Sequence, residues 1–158
     1  LAVRAAWLPV LTSGTSRATT VLCNPRDVSV LGSPVRATGG PRWRLSGIAD
    51  FVADADMVDL IVVSAQTDSG IGVFVVDLAV SGVTVERLPM AGGHRACTVR
   101  FDDVQVGDDT HVLGADVCPD ALRRVANAAV ALQCLDLVGV GEAVVQRNIA
   151  AVDAALAE

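Results

Sequence analysis

The chain carries four cysteines, two histidines and several adjacent aspartates, and these are the first candidates for chemistry. Cys23, Cys97, Cys118 and Cys134 form no Cys-x-x-Cys pair, so no zinc knuckle and no dithiol redox centre is spelled out. They read as reduced core thiols of a cytosolic protein. His94 and His111 have no acidic or cysteine ligand at metal spacing, and read as a loop and a strand-edge histidine. Asp102-Asp103 and Asp108-Asp109 lack the loop and terminal Glu of a calcium-binding hand, and read as turn acids. Gly139-x-Gly141 sits inside a helical pattern rather than after a strand, which removes the dinucleotide reading. There is no Gly-x-Ser-x-Gly elbow, and Ser-x-x-Lys is excluded because all 12 basic residues are Arg. Generic motifs assign no metal site and no catalytic residue.

The chain that must position any site has 158 residues, enough for one domain, or a small domain with an appendage. It is 52% hydrophobic and only 19% charged, which argues against disorder. Aromatics make up 3%, so Val, Leu, Ile and Ala must fill the core. A net charge of −6 repels phosphate backbones, and no aromatic-basic platform offsets it, so nucleic acid is not an expected partner. No apolar run follows Arg4 in the manner of a signal peptide. The expected compartment is the cytoplasm.

The pattern divides the chain into a β part and an α part. Short Val-rich runs predict strands at 17–23, 28–31, 35–37, 43–46, 60–66, 72–77, 83–89 and 95–101. Turn signals fall at Gly39-Gly40-Pro41, Thr67-Asp68-Ser69-Gly70 and Gly92-Gly93. Leu60-Ile61-Val62-Val63 and Val73-Phe74-Val75-Val76 are apolar throughout and predict strands buried on both faces. Many short strands at near-regular spacing predict a closed barrel or a sandwich. From Cys118 the spacing turns helical: Pro119 suits a first helical position, and Asp120 suits the positive end of the dipole. The most apolar stretch, 125–145, contains Asn127, Gln133, Asp136 and Glu142. A central Asp costs about 2.5–3.5 kcal/mol in a bilayer, so a bundle helix is expected rather than a membrane span. The fold class is therefore α+β: a mainly antiparallel β-barrel followed by one long α-helix of an incomplete helical bundle. Asp136 and Glu142 read as helix-surface charge or polar contacts between helices.

Several segments in fixed order resemble the acyl-CoA dehydrogenases, and the resemblance spans nearly the whole chain. Trp7-Leu8-Pro9 with Ser13-Gly14 resembles the lead-in to that family's middle β-domain. Leu22-Cys23-Asn24-Pro25 falls at its Thr-Glu-Pro strand end, and Ser29 falls at the Ser of its Gly-Ser-Asp. Trp43-Arg44-Leu45-Ser46-Gly47 resembles the next strand, and Phe51-Val52-Ala53-Asp54 takes the place of a Trp-Ile-Thr/Ser-Asn run. Val58-Asp59, Phe74-Val75-Val76-Asp77 and Gly82-Val83 continue the order. Phe101-Asp102-Asp103-Val104-Gln105-Val106 and Val112-Leu113-Gly114 complete it, and the first of these is the most specific match.

The resemblance implies three parts: a lead-in at 1–16 from an N-terminal helical domain, a middle β-barrel domain at 17–115, and the first C-terminal helix at 119–158. It implies an oxidoreductase that desaturates the Cα–Cβ bond of an acyl-CoA thioester in lipid breakdown. It implies FAD, held at Leu22, Cys23, Ser29, Phe51 and Ala53 through main-chain and hydroxyl groups and a flat aromatic face. The implied partners are an acyl-CoA, further copies or a related chain, and electron-transfer flavoprotein. The catalytic base is not identified. The pattern departs at Cys23 and Ala53, where the family has hydroxyl residues, and at Asn24, Val28, Val30 and Ala49. The family's later Arg and Phe-Gly are replaced by Asn148-Ile149-Ala150-Ala151-Val152-Asp153. The sequence begins without Met and stops inside a recognisable element, so a part of a longer enzyme is expected. Two alternatives remain: a subunit of a heteromeric acyl-CoA dehydrogenase that has lost its flavin site, and a β-barrel binding module without enzymatic role.

Overall fold

The computed structural model describes residues 2–24, 26–40, 42–107, 110–114 and 118–156. Pro25, Pro41, Asp108 and Asp109, named above, lie outside the described residues, as do the last two residues of the expected helix. The chain separates into two compact units, Leu1–Asp120 and Ala121–Glu158.

The first unit opens with helix α1 (Ala2–Thr12), over a stretch expected only as a lead-in. Among the described residues ten strands follow: β1 (Ala18–Val21), β2 (Cys23–Asn24), β3 (Asp27–Leu31), β4 (Arg36–Gly39), β5 (Trp43–Ala53), β6 (Leu60–Thr67), β7 (Gly70–Asp77), β8 (Val83–Arg87), β9 (Ala96–Val106) and β10 (His111–Leu113). The run expected at 17–23 breaks at Leu22 into β1 and β2. The runs expected at 43–46 and 95–101 extend into 11-residue strands, so Phe51 and Ala53 lie on the same strand as Trp43.

Eight strands form one sheet in the order β10-β7-β6-β4-β5-β9-β8, with β1 also pairing β6. The expected barrel is not formed. The path ends at β10 and at β8, and these two edges do not pair with each other. Pairings are antiparallel except along one edge of β6, where β1 pairs it from Ala18↔Leu60 to Val21↔Val63 and β4 pairs it at Arg36↔Gln66, both in parallel. Two strands thus share that edge, and β4 carries the sheet across to β5.

The sheet bends instead of closing. β5 shifts register against β9 between Leu45 and Gly47 and again between Ala49 and Val52, and such bulges turn a strand. Both halves then feed one core. Leu45, Ala49 and Val52 of β5 and Cys97, Val99 and Phe101 of β9 pack with Ile61, Val63 and Ala65 of β6 and Phe74 and Val76 of β7. Val73–Val76 are buried without alternation, as the apolar run predicts.

Gly47 has φ 139, and a Cβ there would lie 3.0 Å from the Val35 Cα and 3.1 Å from the Pro34 carbonyl oxygen. This glycine lets the 34–35 backbone pass close to β5.

The second unit consists of helix α2, which starts at Cys118 in the first unit and runs to Leu156. Its hydrophobic residues surround it. Leu135, Leu137, Val138 and Val140 point in different directions at about 100° per residue. Leu132, Leu135, Leu137 and Val138 are 64–69% exposed. By length and composition α2 suffices to cross a membrane, with an 18-residue window of hydropathy 1.7.

Candidate functional site

The residues implied to hold a ligand lie on two segments, and the fold ties these together. The first is the ribbon of β2 and β3, paired at Cys23↔Leu31 and Asn24↔Asp27. Its turn is set by Asn24, whose Oδ1 accepts the Arg26 N–H at 3.0 Å. Leu22 and Cys23 are half-buried at its entrance, and Ser29 sits in the middle of β3.

A buried serine pair fixes this ribbon to the sheet. Ser64 of β6 is fully buried, and its Oγ accepts the Ser33 N–H at 2.7 Å. The Ser64 hydroxyl proton lies within reach of the Leu22 and Val21 carbonyls, at 3.1 and 3.3 Å. The Ser33 hydroxyl donates to the Ser64 carbonyl and accepts the Val35 N–H at 3.2 Å. The Leu22 carbonyl also accepts the Gly32 N–H at 3.2 Å. A buried polar group must find partners, and here the partners hold Leu22 in place. Sequence reasoning missed this pair. Its signal was Ser64 standing inside the apolar run 60–65.

The second segment is the end of β5. Phe51 has φ 57, a left-handed conformation that is rare for a bulky residue. It lies at the second bulge of β5, and the residue is 55% exposed. A strained aromatic held out to solvent is the kind of backbone outlier that accompanies ligand sites. Ala53 is exposed, and its carbonyl accepts the Thr19 hydroxyl of β1 at 2.7 Å. Asp54 follows with φ 52.

Two side-chain links join the segments. One is Thr19 to Ala53, three residues before Leu22 on the same run of chain. The other is the ion pair of Arg26 Nη2 with Asp50 Oδ2 at 3.3 Å. Asp50 Oδ1 accepts the Thr98 hydroxyl at 2.9 Å, which orients the carboxylate from β9. A cleft of about 400 Å³ opens between the ribbon and β5, lined by Asn24, Arg26, Pro34, Ile48 and Asp50.

The remaining reactive residues serve the fold. Cys97 pairs with Val52 in the sheet, and burial, with the nearby Asp56 carboxylate adding to it, pushes its thiol up. Burial does the same at Cys118. Both are inert protonated thiols. All four cysteines are free, and Cys134 is exposed. The His111 ring stacks on Phe74 at 4.8 Å and sits 5.3 Å from Trp43, as part of an aromatic cluster. Among the described residues no group of His, Cys, Asp or Glu is arranged to hold a metal ion.

The architecture is shared with solved structures. A glutaryl-CoA dehydrogenase from Mycobacterium smegmatis, in complex with FADH2, matches at 24% identity and TM-score 0.65, over 75% of this chain and 33% of that chain. A second structure of glutaryl-CoA dehydrogenase from that organism matches at 29% identity and TM-score 0.63, over 71% and 30%. The ChsE4–ChsE5 complex from Mycobacterium tuberculosis matches at 30% identity and TM-score 0.60, over 69% and 29%. The chain thus has an acyl-CoA dehydrogenase-like fold, and it spans about a third of the length of these proteins. No family model and no curated protein sequence matches it.

FAD is the cofactor this fold implies, and its isoalloxazine needs a flat face and hydrogen-bond donors. Phe51 offers the face. The side-chain donors do not fit: Leu22, Phe51 and Ala53 carry no polar hydrogen on their side chains, the Cys23 thiol is a weak donor, and Ser29 is left as the one hydroxyl among the five. The carbonyls of Leu22 and Ala53 are occupied and could only accept.

Proposed function

We propose that this chain is the middle β-domain and first C-terminal helix of an acyl-CoA dehydrogenase, an oxidoreductase that desaturates acyl-CoA thioesters in lipid catabolism. The observation that carries this reading is Phe51. It is an exposed aromatic, held at φ 57 by a bulge, at the position where the resemblance puts the aromatic that faces the ring. The acyl-CoA dehydrogenase-like fold around it supports the same reading. In this role the β-domain contributes a wall of the site, and the chemistry is completed by helices beyond this chain.

The reading makes the assembly a homo-oligomer or a heteromer with a related chain, with electron-transfer flavoprotein as its electron acceptor. It makes α2 a helix of a bundle, because Asp136 and Glu142 would each be costly in a bilayer. It places the protein in the cytoplasm, away from nucleic acid. The test is to assemble the complete natural protein with its related chain and add butyryl-CoA or octanoyl-CoA without oxygen. Loss of the visible flavin band with formation of the enoyl-CoA supports the reading. A flavin band unmoved by a panel of short- to long-chain acyl-CoAs overturns it.

A further inference from the structure

We infer that the flavin position of this chain itself is not functional: within its assembly, the chain is the subunit that contributes protein surface but no FAD. The inference rests on the acyl-CoA dehydrogenase reading above and concerns which subunit holds the cofactor.

It starts from the donor census. A ring that gains negative charge on reduction needs hydrogen-bond donors at its polar edge. At their side chains the two segments that converge on the site present a weakly donating thiol at Cys23 and a methyl at Ala53, and Ser29 alone of the five positions carries a hydroxyl. The main-chain oxygens of Leu22 and Ala53 are acceptors already in use. The Ala53 carbonyl takes the Thr19 hydroxyl, and the Leu22 carbonyl takes the Gly32 N–H and lies within reach of the Ser64 hydroxyl.

Charge runs the same way. The residues flanking Phe51 and Ala53 are Asp50 and Asp54. The nearby cation, Arg26, is spent on Asp50 at 3.3 Å. Carboxylates at a site that must stabilise an anion oppose it. Meanwhile the scaffold persists. The Ser33–Ser64 pair, the Thr19–Ala53 link and the strained Phe51 still hold the segments in place. A site that keeps its frame and is poor in donors fits a chain retained for its shape.

The experiment measures FAD on the complete natural chain, alone and with its related chain. The lone wild-type protein, desalted after incubation with FAD, is expected to show no visible flavin band. Cys23→Thr and Ala53→Thr, singly and together, restore hydroxyl donors. Each is expected to tighten FAD binding about tenfold, as one hydrogen bond does. Circular dichroism confirms that each variant is folded. About one FAD per lone wild-type chain would overturn the inference. So would folded variants that bind FAD no better than the wild type. A flavin in the lone chain that bleaches with acyl-CoA would overturn the inference but keep the enzymatic reading. A complex without any response to acyl-CoA would instead remove the reading on which it rests.

Discussion

At Phe51 two opposed contributions meet. A left-handed φ costs a side chain with a Cβ about 1–2 kcal/mol, whereas the partly buried ring returns about 1 kcal/mol. Asn tolerates this conformation and lacks the ring. Phe51→Asn should therefore change stability by less than about 1 kcal/mol in urea denaturation. Acyl-CoA turnover by the assembly should stay near the wild-type rate, because no flavin stacks on this ring. An ordinary core substitution such as Phe74→Ala should cost about 3–5 kcal/mol. The buried thiols give a pH dependence. Burial raises Cys97 and Cys118 above the ordinary thiol value of 9.0, so the folded chain keeps protons that the unfolded chain releases. This contribution is full below that value and is lost as pH rises from it through the raised value of the folded state. Thermal melts should show a falling Tm between about pH 8 and about pH 10, reduced in Cys97→Ala relative to its own value at neutral pH.

The elements show how far sequence pattern reaches. The strands from Leu60 and from Gly70, with the tight turn at Asp68-Ser69, follow from apolar runs and turn residues, which are local signals. The long helix from Cys118 follows from Pro119, Asp120 and helical spacing. Barrel closure did not follow, because it depends on whether two distant edges, β8 and β10, meet, and no local pattern encodes that. The break at Leu22 and the bulge at Phe51 were also hidden. They come from side-chain bonds across the fold, from Ser64 and Thr19, and from register against β9. The positions of the site residues were legible only through resemblance, and the serine pair that holds them was not. Ser64→Ala tests that pair. It strands the Ser33 N–H in a buried place and should cost about 1–3 kcal/mol. If it is neutral, the pair does not anchor the ribbon.

On the scale of the whole molecule, α2 carries the clearest demand. A helix that is apolar on all sides belongs inside something larger. Leu135→Glu with Val138→Glu should split the natural assembly into smaller species on gel filtration and leave the β-domain folded. The wild-type protein should partition with the soluble rather than the membrane fraction. Recovery in the membrane fraction after a carbonate wash would favour a spanning helix.

The central claim is that this β-domain works within an acyl-CoA dehydrogenase. The most direct measurement is the visible spectrum of the assembled natural protein before and after acyl-CoA is added without oxygen. The account predicts a flavin band that bleaches as enoyl-CoA forms. A flavin band that persists across the whole range of acyl chain lengths, with no enoyl-CoA formed, would contradict it.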